Sequence, residues 1–159
     1  MQRGFTLIET LVYLALFSIV IGGLFLSAYA FFGSVGRNQT QALLQQEQDF
    51  LISKIDWALS GVNPAASNTY GTSLNITKYD GTNIRMDVLS GNLRMSTNSG
   101  AWRNLNNDDV TVSAPLFTRN AVAGINAPEN VEAVFTMSVH TPTGGIISRI
   151  ASTTVYFQK

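Results

Sequence analysis

The chain contains no cysteine, a single histidine (His140) and no proline before Pro64. The first absence excludes disulfide scaffolds, zinc knuckles and thiol nucleophiles, and leaves the redox compartment open because there is no thiol to protect or oxidise. One histidine excludes a His-rich metal site. Charge is scarce as well: 13% of the 159 residues are charged, against about 25% in an average soluble domain. Ten basic and ten acidic side chains cancel to a net charge of zero, which argues against a nucleic-acid surface held by bulk electrostatics. A G-x-S-x-G element and a P-loop are both missing, and no serine is tied to His140 by spacing. The sequence therefore predicts no catalytic, cofactor-binding or metal-binding residues.

What the chain does have is one long apolar run. From Phe5 to Phe32 the residues are almost wholly Leu, Ile, Val, Phe, Tyr, Ala and Gly, and the 27 residues from Thr10 to Gly36 carry no charge. A helix over Phe5 to Phe32 would be roughly 40 Å long, more than the ~30 Å of hydrocarbon it must cross. No second run of this kind follows, so the chain is expected to cross once. Arg3, the only charge before the segment, places the short N-terminus in the cytoplasm and the rest outside it.

Beyond Arg37 the composition turns to Gln, Asn and Thr, and apolar residues return at helical spacing: Leu44, Leu51, Ile55, Ala58 or Leu59, and Val62. This predicts an amphipathic continuation of the membrane helix, stopped by Gly61 and Asn63-Pro64. Gly22-Gly23, Gly33 and Gly36 are weak points within it, each costing roughly 1 kcal/mol relative to alanine in water. A hinge or local melting is expected there. The polar stretch Asn63 to Ser73 reads as a flexible linker.

From Ala65 onward short alternating segments separated by turn residues predict an antiparallel β-meander. Leu74 and Ile76 alternate with polar residues, as do Ile84, Met86 and Val88. A three-residue loop, Asp80 to Thr82, would set Ile76 against Met86 and Leu74 against Val88. A turn at Ser90-Gly91-Asn92 would leave Asp87 and Arg94 paired on the outer face. Val131, Ala133, Phe135, Met137 and Val139 form the clearest strand face, and Pro142 to Gly145 return the chain into a last strand, Ile146 to Phe157. The fold class expected is α+β, a long N-terminal membrane-spanning helix followed by an antiparallel β-sheet head. Its domains are a leader over 1–4, a transmembrane helix over 5–36, its amphipathic continuation over 37–61, and an extracytoplasmic head over 62–159.

The residues that carry chemistry are the first nine, Met1-Gln2-Arg3-Gly4-Phe5-Thr6-Leu7-Ile8-Glu9. Glu9 is an ionisable group just inside an apolar run, costly unless it finds a partner, and such a residue is a functional hypothesis by default. Were the chain cut after Gly4, the new α-amine of Phe5 would lie one helical turn from Glu9. The same amine on a neighbouring chain could approach that carboxylate, and the pairing would fix the axial stagger between adjacent chains.

These residues resemble the leader and signature of the type IV pilin and pseudopilin superfamily, Gly4 followed by Phe5-Thr6-Leu7-Ile8-Glu9. The resemblance covers roughly the first 60 residues, and the head agrees in architecture alone. It implies cleavage between Gly4 and Phe5 by a membrane prepilin peptidase, N-methylation of Phe5, and assembly directed by Glu9. It also implies an assembly platform protein and other pilin-like subunits as partners, packed helix to helix, with Gly22, Gly23, Ser27 and Ala28 as the small contact residues. The protein so described sits in the cytoplasmic membrane and passes into a cell-envelope filament. Two features depart from major pilus subunits: the membrane helix has no proline, and there is no C-terminal cysteine pair. The glycine pair could supply the softness of the missing proline, while the absent cysteines and the series of short strands more closely resemble a minor pilin or a minor pseudopilin of a type II secretion system, with a major subunit as the alternative.

Other readings stand beside this one. A plain signal anchor holding a β-domain, or a secretory signal peptide cut after Ala28-Tyr29-Ala30, leaves Glu9 unexplained, and the apolar stretch exceeds the ~7–15 residues of a secretory h-region. Some pilin-like machines import DNA, for which Arg85, Arg94, Arg103 and Arg119 are the candidate contacts, although nucleic acid is not the expected partner. Asp108-Asp109 lacks the spaced acidic loop of a calcium site and reads as a turn before a strand at Val110-Val112.

Overall fold

The computed structural model describes residues 6–120, 129–141 and 144–157. They divide into two compact units, 1–39 and 40–159. One helix, α1 (Leu7–Leu59), begins in the first unit and ends in the second. It is helical through Gly22, Gly23, Gly33 and Gly36.

In the first unit α1 is apolar on every side, and the window with membrane-spanning length and composition has none of its residues buried. Three of its hydroxyls are satisfied within the helix. Thr10 Oγ1 donates to Leu7 O, Ser18 Oγ to Leu14 O and Ser34 Oγ to Phe31 O, each at 2.8 Å. Such back-bonding lets a hydroxyl enter hydrocarbon without an orphan donor.

The second unit forms around the other part of α1. The stripe read from the sequence is buried: Leu44, Leu51, Ile55, Ala58 and Leu59 are each at most 2% exposed. Burying one such leucine or isoleucine contributes roughly 1.5–3 kcal/mol. The helix ends where predicted, at Gly61, whose φ of 73° is left-handed; its carbonyl accepts the Tyr79 N–H at 3.0 Å. The last turn carries no basic residue, and Lys78 supplies the missing charge. Its Nζ donates to Trp57 O at 2.8 Å and lies 4.3 Å from the centre of the Trp57 ring, a favourable arrangement at the negative end of a helix.

Two antiparallel sheets complete this unit. The first has the order β1 (Leu74–Thr77), β2 (Asn83–Leu89), β3 (Asn92–Thr97), β4 (Arg103–Asn104); the second has the order β5 (Val110–Asn120), β6 (Asn130–His140), β7 (Ile146–Tyr156). Their inward residues, among them Leu74, Ile76, Ile84, Met86, Leu93, Val112 and the five predicted on β6, join the helix stripe in one core. Asn106, 6% exposed, ties the sheets together. Its Oδ1 accepts the Leu93 N–H at 2.7 Å and its Nδ2 donates to Val110 O at 2.5 Å. Helix and sheets are also linked by Thr153 Oγ1 donating to Asp56 at 2.7 Å and by the Asn107 N–H donating to Glu47 at 2.6 Å.

The β1–β2 register differs from the expected one. Ile76 faces Ile84 and Leu74 faces Met86, so the three-residue loop is Tyr79 to Gly81 rather than Asp80 to Thr82. Glycine decides it. Gly81 has φ 84°, and the third loop position is the one that demands a left-handed residue. The Thr82 N–H donated to Asp80 at 2.8 Å holds the turn and keeps the Asp80 carboxyl below its usual pKa. At the next hairpin Ser90 and Gly91 alone form the turn, with φ of 52° and 81°, and Asn92 already pairs with Leu89.

Asn63 to Ser73 is no flexible linker. Asn68 Nδ2 donates to Asn63 O at 2.8 Å while its Oδ1 accepts the Thr77 N–H at 2.9 Å. Thr69 and Asn75 exchange main-chain bonds, and Gly71 O accepts the Phe117 N–H at 2.8 Å. Asparagine amides here do the work of a strand's backbone. The strand expected at Val110-Val112 is longer than expected because a bulge interrupts its alternation. The register shifts between Ser113 and Leu116, Ala114 takes φ 48°, and Pro115, which has no N–H to give a ladder, occupies the break. Among the expected connections, Pro142 and Thr143 lie outside the described residues.

Gly91 and Gly81 separate two costs of adding a side chain. A Cβ at Gly81 meets open space, whereas one at Gly91 would stand 2.8 Å from Thr111 Cγ2. Gly81→Ala should lower stability by about 1 kcal/mol through its left-handed φ alone, and Gly91→Ala by roughly 2–3 kcal/mol. Denaturant unfolding of the full chain in micelles checks the order.

Candidate functional site

The candidate site is the start of α1. Thr6 precedes the helix, and its carbonyl accepts the N–H groups of Glu9 at 3.0 Å and Thr10 at 3.3 Å. Glu9 is thus in the first turn and is the only acidic residue there. A carboxylate in this position faces the positive end of the helix dipole, worth about 0.3–1 kcal/mol. That offsets only part of the cost of a charge at the edge of hydrocarbon. Among the described residues no ion pair involves Glu9. Gly4 and Phe5, the residues expected at the cut, lie outside the described residues.

Of the four arginines proposed as nucleic-acid contacts, Arg85 and Arg94 come together on one face of the first sheet, and the other two lie apart from them. Arg94 is held by Asp87 through two bonds, Nε to Oδ1 at 2.6 Å and Nη2 to Oδ2 at 2.9 Å; hydrogen bonding to Asp87 pushes its pKa upward. Arg119 is on β5, in the other sheet, where its Nη2 donates to Glu129 at 2.6 Å and its pKa rises for the same reason. Arg103 pairs in register with Met95, so it emerges on the opposite side of the first sheet from Arg85 and Arg94. Sequence position alone could not reveal which of these charges were already neutralised.

His140 is exposed at the end of β6. Asp108 and Asp109 form the turn before β5. No group of three or more His, Asp or Glu side chains comes together among the described residues.

Residues 1–25 match the family described as the prokaryotic N-terminal methylation motif. This is the prepilin-type signal of type IV pilins and pseudopilins, and it spans Gly4, Phe5 and Glu9. Such a signal implies processing by a prepilin peptidase and assembly with other pilin-like subunits. No curated protein and no solved structure matches the chain.

If Glu9 serves assembly and has no part in anchoring, a neutral residue there should strengthen membrane retention. Glu9→Leu should stay in the membrane fraction through alkaline carbonate washing at least as completely as the native chain. Release into the wash would show that the carboxylate supports insertion.

Proposed function

We propose that the protein is a non-enzymatic subunit of a type IV filament-like machine, in the class of minor pilins and type II secretion pseudopilins. It is inserted once across the cytoplasmic membrane with the head outside, cut between Gly4 and Phe5, N-methylated on Phe5, and then drawn into a bundle of similar helices. The proposed regions are a leader over 1–4, a span over 5–36, a helical continuation over 37–61 and a head over 62–159. The observation that carries this reading is the prepilin-type signal across residues 1–25, with Glu9 in the first turn of an apolar helix.

The energetic logic runs through that helix. As a monomer it exposes apolar side chains on all sides of the first unit, a state stable in lipid. A bundle of like helices offers a second apolar environment, so transfer from one to the other requires no unfolding. Cleavage supplies the Phe5 amine as the cation that Glu9 lacks. When the amine belongs to the adjacent chain, attraction in a low dielectric sets the axial stagger. An assembly platform protein would provide the work of extraction.

Amino-terminal sequencing of the native protein tests the processing step. N-methyl-phenylalanine at Phe5 is expected, whereas a start at Phe31 would mean ordinary secretion after Ala28-Tyr29-Ala30. Gly4→Leu should block the cut. Glu9→Ala and Glu9→Val should be inserted and cleaved as the native chain is, yet enter filaments at a small fraction of its level; normal incorporation would remove the register argument.

A further inference from the structure

The outer face of the first sheet holds an aromatic and guanidinium cluster that the assembly mechanism does not use. Trp102, 37% exposed, reaches over this face from the segment between β3 and β4. Its ring centre is 4.6 Å from the Arg94 guanidinium carbon and 5.3 Å from that of Arg85. The same segment covers Ser96, which is buried on the outer side of its strand and donates to Gly100 O at 2.7 Å. The two guanidinium groups differ in state. Arg94 is neutralised by both Asp87 oxygens. Arg85 has one side-chain hydrogen bond, Nη2 to Ser96 Oγ at 3.3 Å, and its Nε is buried with no partner. No carboxylate pairs with Arg85 among the described residues.

We propose that Arg85 and Trp102 form a docking site for a carboxylate-bearing segment of a partner polypeptide. Charge complementarity selects the occupant. The face carries two cations and one anion, so the Arg85 guanidinium is left without a counter-ion among the described residues, and the simplest group that balances its charge is one carboxylate. Arg94, locked by Asp87, holds the Trp102 ring in place, so the aromatic contact is formed before the partner arrives and costs little ordering. A rigid tryptophan beside a cation is the pairing that concentrates binding energy at protein contacts. A polyanion fits less well. Nucleic-acid affinity grows with the number of phosphates neutralised, and one uncompensated charge provides for a single contact.

The chain has two tryptophans, so Trp57→Phe keeps a ring beneath Lys78 and leaves Trp102 as the sole indole reporter. The full chain carrying this change, in neutral detergent micelles, is titrated with a glutamate-rich peptide, its glutamine counterpart and a single-stranded oligothymidylate, following Trp102 fluorescence. Saturable binding of the acidic peptide is expected, with the glutamine peptide about five-fold or more weaker. Arg85→Gln should erase that preference while Arg103→Gln, on the other side of the sheet, retains it. Both variants should unfold at the native denaturant concentration, and Arg85→Lys, which restores the charge, should recover part of the preference. Equal binding of both peptides, an unchanged preference in Arg85→Gln, no binding, or tighter binding of the oligonucleotide would each overturn the proposal.

Discussion

The Glu9 carboxylate stands in the first turn of a helix whose following 27 residues carry no charge, and the proposed assembly rests on its electrostatics. A charge at the centre of a bilayer costs about 2.5–3.5 kcal/mol by insertion scales, and less toward the edge. The helix dipole recovers a fraction of that. The remainder is a standing bias toward any cation that arrives in the same plane. In the proposed assembly that cation is created by trimming the chain, so a covalent event converts a poorly satisfied monomer into one that seeks a neighbour.

The structure of α1 suits such a two-state life. Thr10, Ser18 and Ser34 spend their hydroxyls on carbonyls of their own helix, so none of them demands a partner in lipid or in a bundle. Farther along, the same helix becomes one-sided, and Leu44, Leu51, Ile55, Ala58 and Leu59 enter the core of the second unit. One element therefore combines an apolar stretch long enough to span a bilayer with a packing surface of the second unit, and Lys78 fixes its end through Trp57. The outer face of the first sheet is then free for another use, and the Trp102 cluster occupies it.

Much of this was legible because it rests on periodicity. The uncharged run gave the span, the seven- and four-residue spacings gave the helix stripe, and alternation gave β6 and the β2–β3 hairpin with its Asp87–Arg94 pair. Glu9 stood out because a carboxylate is anomalous where it sits. Features that depend on single residues or on distant partners were hidden. The β1–β2 register turned on which loop residue takes a left-handed φ, and Gly81 claims the last position rather than the middle one. β5 was truncated in the reading because Ala114-Pro115 inverts the alternation partway along. Asn63 to Ser73 looked like a linker because composition does not show that Asn68 bonds to Thr77 and Gly71 to Phe117. Arg85 and Arg94 looked equivalent on adjacent strands, and only the geometry separates the paired guanidinium from the unpaired one.

The pairing of a new amino terminus with the carboxylate of an adjacent chain can be read directly by zero-length chemistry. Treating assembled filaments with a lipid-soluble carbodiimide joins a carboxylate to an amine already in contact with it, and mass spectrometry of mixed isotope-labelled chains shows whether the two came from one molecule or two. The account predicts an amide between Phe5 and Glu9 of different chains. An amide formed only within one chain, or Glu9 left unlinked while other contacts react, would contradict it.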